Sequence, residues 1–287
     1  MTKKVVLITG TNSGFGHLTA KGAAAKGHTV YASMRNVDTK NAEKAKELSI
    51  IENIHVVEID ITNAEQVKSV VNSIIEKEGR LDILINNAGY YGLGITETFT
   101  VEDIENMYDV NVKGSWRMMK AALPQMRKQK SGLIVNISSG LGRFSSPFMT
   151  VYNSSKFALE GLAEGLHYEV RPFGIDVVIV QPGAFPTEIF NKTTYGADKQ
   201  LADEYGELSK LPKQLGQGIL QMFESVKPDP QMVPDAIFKL MEMDQGKRPL
   251  RTVVDAITGQ FVEKANTEVK QEYDKFITAF GLEALLN

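Results

Sequence analysis

The strongest constraint on the fold is a regular alternation between short apolar runs and helix-like stretches over the first 183 residues. The runs are apolar throughout, which is typical of parallel strands buried on both faces of a sheet. Parallel strands need crossover connections, usually helices, and these crossovers are right-handed. The pattern therefore predicts an α/β fold with a doubly wound parallel sheet in three layers. The predicted strands are KVVLITG, HTVYAS, IHVVEID, LDILINNAG, GLIVNIS and GIDVVIVQPG.

Helix signals fill the stretches between these runs. Thr62 with Glu65, and Thr100 with Asp103, have the spacing of capping boxes, so helices are predicted to begin there. Other predicted helices span about 14–26, 39–48 and 151–170.

The regular alternation ends after Gly183. Residues 184–230 are polar with scattered Phe, Tyr and Lys, and they predict an irregular or helical excursion. The run RTVVD at 251–255 is a candidate for one more edge strand, followed by a C-terminal helix. We therefore predict a single domain over 1–287, with an insertion at about 184–230 that covers the ligand edge of the sheet.

Composition excludes several classes of site. The chain has no Cys, so disulfides, thiolate nucleophiles and Cys-bound zinc are excluded, and its four His do not have metal-binding spacing. A net charge of −3 argues against a broad nucleic-acid surface. The apolar run at the N-terminus is too short for a signal peptide or a membrane span. We expect a cytoplasmic protein with no metal and no membrane or nucleic-acid partner.

A glycine-rich loop, TGTNSGFGH at 9–17, follows the first predicted strand and opens the first predicted helix. Gly10 suits a tight turn, Gly14 lets the backbone approach a diphosphate, and Gly16 lets the helix pack close to the sheet. The helix N-terminus offers free N–H groups and a partial positive charge for phosphates. The alternative is a glycine-rich turn of the kind found in any α/β protein.

The end of the second strand predicts which dinucleotide binds. Met34 stands where an acidic residue would accept hydrogen bonds from the adenosine ribose of NAD(H), and Arg35 follows it. A guanidinium suits the 2′-phosphate of NADP(H), with charge-assisted hydrogen bonds. We therefore favour NADP(H) over NAD(H), the alternative being that Arg35 is a solvated loop residue.

Further motifs follow in order: NNAG at 86–89, Asn111, Ser139 and YNSSK at 152–156. With the glycine loop, they resemble the short-chain dehydrogenase/reductase family in its principal TGxxxGxG subfamily, which has a Rossmann fold. The resemblance covers nearly the whole chain, from about residue 5 to 187. The stretch 142–170 looks most like the branch that contains 17β-hydroxysteroid and retinol dehydrogenases.

The resemblance implies a set of cofactor contacts. Asp60 would bind the adenine amino group with Ile61 beside it, and Thr187 would bind the nicotinamide carboxamide or the phosphates. The other implied contacts are Asn12, Ser13 and Phe15 in the glycine loop, Asn87, Ala88 and Gly89 near the adenosine ribose, Pro182 and Gly183 at the nicotinamide, Phe185, and the pair Tyr152 and Lys156.

Tyr152 and Lys156 lie one helical turn apart on the same helix face. Lowering the pKa of a tyrosine from about 10 to about 7 needs about 4 kcal/mol of preference for the phenolate. An ammonium at about 4 Å supplies about that much at an effective dielectric near 20. Tyr152 is therefore predicted to act as general acid/base, with Lys156 lowering its pKa and binding the nicotinamide ribose. Without the other motifs, the pair would be a solvated helix turn.

Two more residues complete the predicted catalytic set. Ser139 follows the fifth strand and is predicted to polarise the substrate oxygen. The resemblance implies that Asn111 holds a water in a proton relay to Lys156. The alternatives are a loop start for Ser139 and a helix kink with a surface amide for Asn111.

Aromatic and Met side chains after the strand ends predict an apolar substrate pocket, although core packing is the alternative for each of them. The candidates are Tyr90, Tyr91, Phe144, Phe148, Met149, Phe185 and Phe190.

These residues together predict an oxidoreductase that transfers a hydride between NADP(H) and a small-molecule carbonyl or alcohol. The alternative is a non-catalytic protein that senses NADP(H) on the same scaffold. The resemblance also implies a homodimer or homotetramer that packs through the helices bearing Asn111 and Tyr152.

Overall fold

Each predicted apolar run forms a strand of one sheet, and the run near residue 251 adds a seventh strand. The computed structural model describes residues 2–286. The strands are β1 (Val5–Thr9), β2 (Thr29–Met34), β3 (Ile54–Glu58), β4 (Ile83–Asn86), β5 (Gly132–Ile137), β6 (Ile175–Pro182) and β7 (Arg251–Val254). Their order is β3-β2-β1-β4-β5-β6-β7 and each pairing is parallel, which confirms the predicted doubly wound sheet. The order reverses between β1 and β4, where such sheets have their ligand crevice.

Helices cover both faces of the sheet and complete the three layers. They are α1 (Gly14–Ala25), α2 (Ala42–Ser49), α3 (Ala64–Glu78), α4 (Val101–Tyr108), α5 (Ser115–Gln129), α6 (Thr150–Val170), α7 (Lys199–Glu204), α8 (Leu211–Val226), α9 (Met232–Glu242) and α10 (Gly259–Ala279). Apolar side chains of α1, α2 and α9 form one core against the sheet, and those of α3, α5 and α6 form a second core on its other face.

Two predicted helix starts are wrong, and local hydrogen bonds explain why. The backbone N–H and hydroxyl of Thr62 both donate to Asp60 Oδ1 (2.9 and 2.7 Å), so Thr62 belongs to the preceding turn. Asn63 caps α3 instead, accepting from the N–H of Gln66. The predicted helix at 39–48 begins only at Ala42 because residues 36–41 form a hydrogen-bonded loop. The capping box at Thr100 is confirmed.

The 184–230 segment is largely helical and lies at the carboxyl edge of the sheet. It contains α7, α8 and a helical turn at Phe190–Lys192. Phe190, Leu215 and Ile219 pack against a third apolar cluster that includes Tyr91 and Tyr152. The segment therefore forms one wall of the crevice above the strands.

Within residues 2–286, none of the helices has the length and apolar character that a membrane crossing requires.

Candidate active site

One cavity of about 830 Å³ lies at the carboxyl ends of the central strands. It extends from the glycine loop to the inner face of α8. Most of the residues predicted for cofactor, catalysis and substrate line it, so the fold brings together residues that are far apart in the sequence. The predicted residues that do not line it are Gly16, Asn111 and Phe148.

The glycine loop packs so closely against Asn87 and Ala88 that Gly10 and Gly16 have no room for a side chain. Gly10 has φ +69°, and a Cβ on it would lie 2.9 Å from the Cα of Ala88. A Cβ on Gly16 would lie 2.4 Å from Nδ2 of Asn87, whose amide donates to the carbonyl oxygens of Thr9 and Gly10 (2.8 and 3.1 Å). Gly16 therefore packs beneath the loop, and the loop turns its open side to the cavity. This space, beside a helix N-terminus, fits the diphosphate of a dinucleotide.

After the ends of β2 and β3, the lining of the cavity combines one carboxylate with cationic side chains. Arg35 is 60% exposed, and its Nη1 lies 3.9 Å from Oδ2 of Asp60, so the guanidinium is only loosely held. Lys40 and Asn41 line the same cavity, and Nδ2 of Asn41 donates to the carbonyl oxygen of Arg35 (2.6 Å). Lys40 and Asn41 were not predicted as lining residues, because the sequence pattern places residues 39–48 in a helix.

Ser139, Tyr152 and Lys156 converge on the cavity between β5 and α6. Nζ of Lys156 donates to the carbonyl oxygen of Ile137 (2.9 Å) and lies 5.7 Å from the centre of the Tyr152 ring. Oγ of Ser139 accepts from the N–H of Leu141 (3.1 Å), and the side chains of Ser139 and Tyr152 both line this part of the cavity. A substrate oxygen in this cavity would therefore meet two hydroxyl groups.

Burial is the largest cause of the pKa shifts of Tyr152 and Lys156. It raises the pKa of Tyr152 to about 12, and the neighbouring hydroxyl of Ser139 opposes this rise. It lowers the pKa of Lys156 to about 8, and the carboxylate of Glu160 opposes this fall. The four-residue spacing to Lys156 predicted a lowered pKa for Tyr152. In the protein alone the pKa shifts the opposite way, because burial of the phenolate outweighs the Ser139 hydroxyl that favours it.

Asn111 lies behind the cavity in a π-helical turn, Asp109–Gly114, between α4 and α5. Its amide is 1% exposed and bonds to the backbone N–H and carbonyl of Tyr90 and to Oγ of Ser155 (3.2, 2.9 and 3.0 Å). The alternative of a surface amide is therefore wrong, whereas the irregular helix is present. A Cβ on Gly89 would lie 3.1 Å from Oδ1 of Asn111 and 3.8 Å from Nζ of Lys156, so the three residues are neighbours.

The candidate substrate residues have different surroundings. Tyr90, Phe144 and Met149 line the cavity. Phe185 also lines it, but its side chain is buried in the core and packs against Phe15. Phe190 packs edge-on between the rings of Tyr91 and Phe223 (5.3 and 5.2 Å between centres). Phe148, at φ +66°, lies outside the cavity, and its carbonyl accepts from the N–H of Gly94 (2.8 Å).

Several lining residues were missed from the sequence. Leu215 and Ile219, four residues apart on α8, contribute apolar side chains from the 184–230 segment. Their helical spacing was the available signal. Asp255 and Val262 contribute from the region after β7, where the chain carries no recognisable motif.

The chain is similar to known proteins over most of its length. A family model described as short chain dehydrogenase matches residues 4–197, so the chain belongs to the short-chain dehydrogenase/reductase family and is an oxidoreductase that uses a nicotinamide cofactor. It is similar to a 3-ketodihydrosphingosine reductase of Bacteroides thetaiotaomicron, 36% identical over 242 residues that cover 79% of this chain and 86% of the relative.

Solved structures share the fold over most of their length. A short-chain dehydrogenase from Streptomyces avermitilis matches with a TM-score of 0.78 and 32% identity, covering 98% of both chains. A structure of ElxO with NADP bound matches with a TM-score of 0.72 and 30% identity, covering 88% of this chain and 97% of ElxO.

Proposed function

We propose that this protein is an NADP(H)-dependent reductase or dehydrogenase that interconverts an apolar ketone or aldehyde with its alcohol. The observation that carries the proposal is the convergence of Ser139, Tyr152 and Lys156 on the cavity that the glycine loop also lines. The bound nicotinamide would donate or accept the hydride. The residues of the chain would orient the substrate and move the proton.

Tyr152 is the proton donor in the reducing direction. The raised pKa keeps its hydroxyl protonated near neutral pH, which suits an acid that must protonate the alkoxide formed at the substrate. Ser139 donates a hydrogen bond to the same oxygen and stabilises the developing negative charge. In the oxidising direction Tyr152 must first lose its proton, and the positive charge of Lys156 favours the phenolate.

Lys156 and Asn111 return the proton to Tyr152. Nζ of Lys156 is anchored on the carbonyl oxygen of Ile137, which leaves its other donors for the nicotinamide ribose and for a water. Asn111 lies beside this ammonium across Gly89, where its Oδ1, which accepts one hydrogen bond from the N–H of Tyr90, has a second lone pair for that water. This arrangement supports a relay from solvent through Asn111 and Lys156.

An apolar substrate is supported by the walls of the cavity. Tyr90, Leu141 and Met149 lie on the sheet side, and Leu215 and Ile219 face them from α8. The similarity to a 3-ketodihydrosphingosine reductase favours a ketone with a long aliphatic chain. A steroid or a retinoid, as the resemblance of 142–170 implies, is the second substrate class.

The test is an assay over a panel of ketones, aldehydes and alcohols, run in both directions with NADPH/NADP⁺ and NADH/NAD⁺. We expect turnover of long-chain ketones with NADPH. Tight NADPH binding without turnover of any member of the panel would overturn the enzyme proposal and favour a nucleotide sensor.

Cofactor preference rests on Arg35. Replacing Arg35 by Ala should weaken NADPH binding by about 10- to 100-fold, because a charge-assisted hydrogen bond contributes about 1.5–3 kcal/mol. NADH binding should change little, since NADH has no 2′-phosphate. Dissociation constants from NAD(P)H fluorescence measure both effects, and Lys40→Ala should show a smaller effect of the same kind. Equal losses for the two cofactors would remove the phosphate role.

The proposed assembly is a homodimer or homotetramer through α5 and α6. Trp116 on α5 and Phe157 and Leu162 on α6 are 38–43% exposed, so these helices present apolar side chains to the surface. Light scattering after size exclusion should give a dimer or tetramer, and Phe157→Glu should shift it toward the monomer. A wild-type monomer at micromolar concentration would refute this assembly.

A further inference from the structure

A buried carboxylate lies one helical turn beyond the proposed catalytic pair. Glu160 follows Lys156 by four residues on α6, and its side chain is 3% exposed. It accepts hydrogen bonds from Oγ of Ser138 (2.9 Å), Nε2 of Gln181 (2.6 Å) and Nε of Arg251 (2.9 Å). Nε of Arg143 lies 3.6 Å away. We refer to Glu160 and these four partners as the Glu160 cluster.

The cluster joins separate parts of the chain. Ser138 and Arg143 flank the turn after β5, Gln181 belongs to β6 and Arg251 to β7. Asn266 of α10 extends it, since Oδ1 accepts from Arg143 (2.9 Å) and Nδ2 donates to Gln181 (2.7 Å). Burying charged groups is expensive, and apolar side chains of similar volume are often as stable or more stable. Stability alone therefore gives little reason for a charged cluster at this position.

The geometry of the turn after β5 gives a reason. This turn, residues 138–146, begins at Ser138 and carries Ser139, and its helical part at Gly140–Gly142 lies against the cluster. A Cβ on Gly142 would lie 2.7 Å from both Oε1 of Glu160 and Oγ of Ser138. The backbone therefore rests directly on the Glu160–Ser138 hydrogen bond.

The face of α6 that carries Glu160 also carries the proposed catalytic residues Tyr152 and Lys156. Tyr152, Lys156 and Glu160 follow one another at four-residue intervals on α6, so they lie along one face. Tyr152 lines the cavity together with Ser139, while Glu160 accepts a hydrogen bond from the hydroxyl of Ser138. The turn after β5 is thus held to α6 beneath the cavity, at the residue directly before Ser139.

We propose that Glu160 is a positioning residue: it fixes the turn after β5 on α6 and so keeps the hydroxyl of Ser139 beside that of Tyr152 in the cavity. The inference rests on the proposed function, because positioning matters only if these two hydroxyl groups act on a substrate oxygen. It gives β7 and α10 a part in the active site through Arg251 and Asn266.

The test compares two isosteric changes on α6. Glu160→Gln removes the charge at the centre of the cluster. Glu164→Gln is the matched control, because Glu164 also pairs with Arg251 (3.0 Å) but is 20% exposed and has no bond to Ser138 among those described. We expect Glu160→Gln to lower kcat by about 10- to 100-fold, since small misplacements of reacting groups have effects of this size. The control should stay within about twofold of wild type, as expected for a partly exposed ion pair.

Two further readouts separate positioning from general damage. The Kd of NADPH should be unchanged in Glu160→Gln, and amide hydrogen exchange of residues 138–146 should be faster than in wild type or in Glu164→Gln. If Glu160→Gln does not fold, Ser138→Ala decides, since it removes only the hydroxyl that links Glu160 to the turn. It should also lower kcat and speed exchange of the turn.

The outcomes distinguish this inference from the proposed function. A wild-type protein that turns over no substrate of the panel refutes the proposed function, and the positioning inference falls with it. The inference alone is refuted if wild type turns over substrate while Glu160→Gln leaves both kcat and the hydrogen exchange of residues 138–146 unchanged. If Glu160→Gln does not fold, the same result for Ser138→Ala refutes the inference. A loss of kcat equal in Glu160→Gln and Glu164→Gln also refutes it, because the effect would then be one of charge on α6.

Discussion

Replacing Tyr152 by Phe is expected to lower kcat for carbonyl reduction by about 10²- to 10⁴-fold, the usual contribution of a positioned general acid. The change removes one hydroxyl and keeps the ring, which packs edge-on against Tyr91 with 6.0 Å between ring centres. Because the proposed diphosphate and 2′-phosphate sites are untouched, the Kd of NADPH should stay near that of wild type. Steady-state kinetics and NADPH fluorescence titration measure the two quantities.

Tyr168→Phe is the matched control for this experiment. Tyr168 is a second buried tyrosine on α6, and its hydroxyl has no hydrogen-bond partner among residues 2–286. Its ring stacks on Tyr273 and does not line the active-site cavity. The control should therefore retain wild-type kcat. Retention of wild-type kcat by Tyr152→Phe as well would refute the assignment of Tyr152 as proton donor.

The sequence was sufficient for the sheet and for most of the cavity lining, because both follow from local patterns. Each buried strand is a continuous apolar run, and parallel strands carry the residues that follow them to one edge. Gly10, Ser139 and Tyr152 are far apart along the chain, yet each follows a strand end or begins a helix, so strand order alone brings them together.

Features that depend on three-dimensional packing were not predictable in the same way. The direction of the Tyr152 pKa shift depends on how deeply the phenol is buried, which the four-residue spacing to Lys156 does not reveal. Phe148 was assigned to the cavity by its position after a strand, but it packs against the third apolar cluster and does not line the cavity. The Glu160 cluster joins β6, β7 and α10 through side chains whose pairing has no signature in one sequence.

Lys156 is buried and is also proposed to act in catalysis, so Lys156→Met should change both the free energy of unfolding and kcat. A fall in pKa from 10.5 to about 8 means that burying the protonated amine costs about 3 kcal/mol of folding free energy at neutral pH. Met fills similar volume without a charge, although the carbonyl oxygen of Ile137 loses its donor. We therefore expect the variant to be more stable than wild type at pH 7 by about 1–3 kcal/mol. Its kcat should fall at least as far as that of Tyr152→Phe, because the ammonium next to the tyrosine is gone.

The pH dependence gives the sharper test of Lys156. Between about pH 8 and pH 10.5 the unfolded chain holds a proton on Lys156 that the folded protein has released, so wild-type stability rises with pH across this window. Lys156→Met lacks this group, and its stability advantage over wild type should therefore shrink as pH rises from 8 toward 10.5. Urea unfolding of both proteins at pH 7 and pH 9.5 measures the difference. Lys264→Met, at a side chain that is 79% exposed, should give a small and pH-independent change. A constant advantage for Lys156→Met at both pH values would mean that the pKa of Lys156 is not lowered in the folded protein, and that burial of its charge carries no cost in stability.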